Sequence, residues 1–105
     1  PPQQDIFQGN IPLGPAKTPH KVASTFAADR YDENANNLIN FLQCNIAFVV
    51  DIVKKILFIK TSNCNLDAGI LASKLFEGGG IKNLAVGKLN DNFIKISKLL
   101  KKINE

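Results

Sequence analysis

The 105 residues are 45 % hydrophobic and 21 % charged, a balance that suits one compact domain and excludes a disordered tail or a collagen-like chain. A chain of this length buries roughly 60–70 % of the surface it exposes when unfolded, enough for one core and not for two. No apolar run approaches the roughly 20 residues of a bilayer-spanning helix, so a soluble chain with no membrane span is expected, and the net charge of +4 is modest for a nucleic-acid binder.

All five prolines (Pro1, Pro2, Pro12, Pro15, Pro19) fall in the first nineteen residues, with Gly9 and Gly14. The segment reads as an extended Pro-rich arm or linker over 1–20. Its apolar residues Ile6, Phe7, Ile11 and Leu13 suggest that it lies along a neighbouring protein surface. The domain proper is expected over 21–105. Val22 to Ala27 reads as a short strand, and Asp29 or Asp32 as the cap of a helix that buries Ala35, Leu38, Ile39 and Leu42 and stops near Gln43.

IAFVVD (Ile46 to Asp51) and ILFIK (Ile56 to Lys60) are near-continuous apolar runs of strand length, expected to pair as an antiparallel hairpin with Lys54 and Lys55 near the turn. Asp51 is expected to bond turn amides. Leu66, Ile70, Leu71 and Leu75 have helical spacing, with Asn65 or Asp67 at the start, and Gly78 suits the left-handed position that ends a helix. Leu84 to Leu89 reads as a strand. Asn90 is a good cap for a closing helix that buries Phe93, Ile96, Leu99, Leu100 and Ile103. The order βαββαβα describes a small single α/β domain, a mixed sheet flanked by helices. Phe41, Phe48, Phe58, Phe76 and Phe93 all fall on apolar faces and are expected in the core.

Few residues point to chemistry. Cys44 and Cys64 are too few for a disulfide scaffold and lack zinc-site spacing, so two reduced, semi-buried thiols in an intracellular compartment, cytoplasm or organelle matrix, are expected. Metal-assisted hydrolysis needs several carboxylates and imidazoles converging on one point. The chain has one histidine, His20, and its one acidic cluster, Asp29, Asp32 and Glu33, is accounted for by capping and solvation. Ser24, Ser62, Ser73 and Ser97 have no histidine partner in the domain. Five of the thirteen basic residues, Lys88, Lys95, Lys98, Lys101 and Lys102, lie in the last eighteen positions; the last four form a candidate RNA-contacting helix face. The chain contains no methionine, even at position 1, which reads as a processed product or a part of a longer polypeptide.

Gly78-Gly79-Gly80 is the most informative local feature, because consecutive glycines let backbone amides approach a ligand closely and form a nest for a phosphate oxygen. It is neither a P-loop nor a GxGxxG fingerprint. The succession ILFIKTSN, LDAGILASKLF and GGGIKNLAVG, with FAADRYDENANNLINFL before it, resembles the C-terminal, DHHA1-type domain of the DHH phosphoesterase superfamily over about Lys21 to Glu105. That resemblance implies a substrate-side lobe in which Gly78, Gly79, Gly80, Lys82, Lys60 and Ser62 hold the phosphate of a nucleotide or short oligonucleotide. Ile81 stands where the family motif has histidine, replacing a donor by an aliphatic group. Lys60 stands for arginine, replacing a planar fork by a point charge. The resemblance also implies that manganese and the catalytic residues belong to a separate domain, so no cofactor and no catalysis are expected of this chain. The alternative expectation is a structural subunit of a larger, organellar ribonucleoprotein or membrane-associated complex.

Overall fold

The computed structural model describes residues 5–103. The chain forms β1 (Ile6–Leu13), β2 (Thr18–Phe26), α1 (Tyr31–Leu42), β3 (Ile46–Asp51), β4 (Ile56–Thr61), α2 (Ala68–Leu75), β5 (Gly79–Ile81), β6 (Leu84–Lys88), α3 (Asp91–Ser97) and β7 (Lys101–Lys102). One seven-stranded sheet results, in the order β5-β6-β4-β3-β2-β1-β7. Among the described residues only β2 and β3 run parallel, joined by the α1 crossover, and every other pair is antiparallel. The α/β class and the mixed sheet are those expected from the sequence.

The single core expected from the chain's length is instead divided into two, one on each face of the sheet. On one face Ala35 and Leu38 of α1 cover Ala23, Ala47, Val49 and Phe58. On the other, α2 and α3 cover Val22, Ile46, Phe48, Val50, Leu57 and Ile59. Phe48 is the hub of the larger core, meeting Phe76 and Phe93 edge to face with ring centroids 5.7 and 5.2 Å apart, a geometry favoured by the ring quadrupoles. Burial on both faces accounts for the unbroken apolar runs of β3 and β4. Phe41 departs from expectation: it is 79 % exposed, on the outer side of α1.

The segment expected as an extended arm is instead part of the sheet. Residues 1–4 lie outside the described residues, but β1 and β2 form a full antiparallel hairpin with Ile6 opposite Thr25 and Leu13 opposite Thr18. Phe7, Ile11 and Leu13 join the larger core, with Ile11 only 3 % exposed. Pro12 and Pro19 face each other, beyond the stretches paired to β7 and β3, where outward amides have no sheet partner to lose. Gly9 sits on the same face as Phe7 and Ile11, where an added Cβ would lie 3.0 Å from the Leu99 carbonyl oxygen and 3.2 Å from Leu100.

The chain's end is the second correction. α3 stops at Ser97, and the amides of Leu99 and Leu100 bond back to Ile96 and Ser97 (2.9 and 3.1 Å) in tight three-residue turns. The chain then pairs as β7 with Phe7 and Gln8. Phe93, Ile96 and Leu100 are buried as expected, whereas Leu99 is exposed. Asn90 caps α3 by accepting from the Phe93 amide (3.2 Å), and Asp67 caps α2 by accepting from the Ile70 amide (3.0 Å). Neither Asp29 nor Asp32 caps α1: the N-cap is Arg30 in a left-handed conformation without a side-chain bond.

Candidate anion-binding site

The Phe76 and Gly78 amides both bond the Ala72 carbonyl (3.0 Å each), and Glu77 between them is left-handed. The helix thus ends on one shared carbonyl, and the left-handed position that follows it belongs to Glu77 and not, as expected, to Gly78. Gly79 and Gly80 then open the edge strand β5, with Gly79 opposite Val86, Gly80 opposite Ala85 and Ile81 opposite Leu84.

Close packing accounts for two of the three. A Cβ on Gly78 would lie 2.0 Å from the Val86 carbonyl oxygen, and one on Gly80 would lie 2.4 Å from that of Leu84. Gly69 of α2 is under the same constraint, 2.5 Å from the Gly80 carbonyl oxygen, so helix and edge strand meet backbone to backbone. Gly79 differs: it is exposed, and a Cβ there would meet nothing within 4 Å.

Between α2 and β5 runs an open groove of about 550 Å³, lined by Asp67, Ser73, Lys74, Lys82 and the glycines. The turn joining β5 to β6 is fixed by its carbonyls. That of Lys82 accepts from the Ala68 amide (2.6 Å) and the Thr61 hydroxyl (3.2 Å), and that of Asn83 from the Thr61 amide (3.2 Å). The start of α2, the end of β4 and the glycine turn therefore converge at one end of the sheet, bringing together the regions of Lys60, Ser62, Lys82 and Gly78–Gly80. The Lys74 and Lys82 side chains are exposed, and neither forms an ion pair among the described residues.

Lys60 lies on the opposite side of the strand from this groove. Ala47, Lys60, Leu84 and Ile81 form one row across β3, β4, β6 and β5, and directly paired residues share a face, here the face that α1 packs on. α1 extends over β2, β3 and β4, leaving Ile81 and Val86 exposed beyond it. The Lys60 ammonium is engaged by Asp32 of α1 at 2.7 Å. This contact escapes sequence reading, since 28 residues separate the partners and nothing in their spacing announces it. Ser62 follows β4 and donates its amide to the Asn45 carbonyl (2.8 Å).

The four candidate RNA-contacting lysines do not share a helix face. Lys95 is on α3, Lys98 caps it, and Lys101 and Lys102 are adjacent residues of β7, whose side chains project to opposite faces. Lys102 is paired with Asp5 at 3.1 Å. They lie at the β7 edge, the far side of the sheet from β5. Among the described residues no group of three or more His, Cys, Asp or Glu side chains is placed to hold a metal ion, and no helix is long and apolar enough to cross a membrane.

The Tyr31 hydroxyl donates to Asp51, whose other carboxylate oxygen accepts from the Lys54 amide at 3.0 Å. The amide of Lys54, and then the hydroxyl, hold the Asp51 carboxyl below the usual carboxylate range, and the same contact raises the Tyr31 phenol. Asp51 thus bonds the turn as expected and also ties α1 to the β3–β4 hairpin.

No protein-family model matches the chain, and no curated protein is significantly similar to it. Its fold is similar to part of the crystal structure of an uncharacterized protein from Helicobacter pylori G27, with a TM-score of 0.59 and 19 % identity over 76 % of this chain. The chain spans 26 % of the length of that protein. At this identity the likeness is one of fold alone.

Proposed function

We propose that this chain is a non-catalytic, phosphate-binding lobe resembling the DHHA1-type domain, with the anion held along Gly78–Lys82. Gly79 carries the reading. A glycine in a strand costs roughly 0.5–1 kcal/mol relative to alanine, and at Gly79 neither packing nor a left-handed backbone requires one. What its missing side chain does provide is close approach to the main chain of β5 on the sheet face it shares with Val86 and Lys60, at an edge whose turn carries the exposed, uncommitted ammonium of Lys82. Ile81 and Lys60 supply less than an imidazole and a guanidinium would, so the expected affinity is modest.

Calorimetric titration of the chain with adenosine monophosphate tests the proposal. Binding tighter than about 1 mM, weakened roughly tenfold by Gly79→Val without loss of thermal stability, is the expected result. Binding weaker than that, or indifferent to Gly79→Val, would remove the glycine strand as a ligand site.

The exposure of Ile81 and Val86 on the sheet face beyond α1 favours a second reading, a structural subunit of a larger assembly that covers this face. Co-purification of a stable complex that is lost on Val86→Lys, together with a failure to bind the mononucleotide, would select it.

A further inference from the structure

The cation on the open sheet face is already occupied. Lys60 lies in one row with Leu84 and Ile81, two strand spacings, roughly 10 Å, from the glycine edge. Its side chain is turned toward α1, where Nζ meets Asp32 Oδ1 at 2.7 Å. The partners are unequally committed: the Lys60 side chain is 21 % exposed and that of Asp32 59 %. Lys60 is thus largely withdrawn from solvent beneath α1, whereas Asp32 stands mostly in water. The second oxygen of Asp32 accepts from Asn36 Nδ2 at 3.3 Å, which steadies the carboxylate over the ammonium.

We infer that Asp32 competes with the ligand's phosphate for the Lys60 ammonium, so that a ligand on the glycine strand engages Lys60 only when this ion pair opens. The inference rests on the phosphate-binding reading above. It also defines the ligand chemistry. A monoanion offers Lys60 nothing better than the carboxylate it already has, whereas a phosphate monoester brings close to two charges and three acceptor oxygens. Asp32 therefore selects for a terminal phosphate, and its removal frees Lys60 to swing toward β5.

Titration with adenosine monophosphate tests this in four variants, with two-dimensional amide spectra verifying that each is folded. Asp32→Asn is expected to bind roughly fivefold tighter than the parent, the scale of one partly exposed ion pair. Asp32→Glu, which keeps the competing charge, should bind like the parent. Glu33→Gln makes the same change in net charge one residue away and should leave affinity unaltered, which separates a local competitor from a general field. Adding Lys60→Gln to Asp32→Asn should erase the gain. An unchanged affinity in Asp32→Asn, or an equal gain in Glu33→Gln, would overturn the inference while Gly79-dependent binding by the parent left the phosphate reading standing. No binding by either the parent or Asp32→Asn would overturn both.

Discussion

The two thiols are placed in different environments although the sequence treats them alike. Cys44 is 2 % exposed in the smaller core, and burial pushes its thiol up to about 11, with Lys21 a weaker opposing influence. Cys64 is half-buried beside the larger core, its sulfur 3.7 Å from the Asn45 carbonyl oxygen. Because the thiolate is the reactive form, a disulfide reagent at about pH 8 is expected to modify Cys64 alone in the folded chain, with the second thiol reacting only after denaturant is added. Raising the pH should leave Cys44 slow until its ionisation near 11 is approached or the fold is lost. Equal rates at both cysteines in the native state would contradict the burial of Cys44. The pattern of sequence reading follows the same division: Asp51, Asp67 and Asn90 were legible because capping and turn bonding are local, whereas the Lys60–Asp32 and Tyr31–Asp51 contacts arise only when α1 folds over the sheet.

Among the elements, the glycine strand joins two neighbours that substitution should drive in opposite directions. Gly78→Ala places a methyl 2.0 Å from the Val86 carbonyl oxygen, and because backbone on both sides must move, a loss of about 1–3 kcal/mol is expected. Gly79→Ala meets open space at a φ that alanine accepts, so it should gain about 0.4–1 kcal/mol by narrowing the unfolded ensemble. Urea denaturation of the two variants checks the sign of each. A loss for Gly79→Ala would mean that the strand is packed more tightly than its exposure indicates. The sequence marks this triplet as special but cannot assign its parts, since identical residues there answer to a carbonyl, to open space and to another carbonyl in turn. β5 and β7 were illegible for a related reason: three and two residues carry no period, and only the neighbour β6 or β1 defines them as strands.

At the scale of the whole molecule, the first twenty residues decide whether the domain is five strands with a tail or seven strands in one sheet. Proline and glycine concentrate there, and those residues argue for a linker wherever a strand must donate on both sides. The hairpin escapes that logic because Pro12 and Pro19 stand opposite each other past the ends of the flanking ladders. Gly9 interrupts what is otherwise an alternating apolar face, Phe7, Ile11 and Leu13, to admit the chain after α3. Among the described residues β1 is the only partner of β7, so the hairpin anchors both its own core residues and the C-terminal turn that carries Leu100. Ile11→Ala tests this directly. In a linker the change would stay within about 0.5 kcal/mol of neutral. At a 3 % exposed position in the larger core, a loss of about 2–5 kcal/mol is expected, a large part of the roughly 5–15 kcal/mol that holds a domain of this size together. The measurement is the urea midpoint at constant slope, and a midpoint indistinguishable from that of the parent would return the segment to the status of an arm.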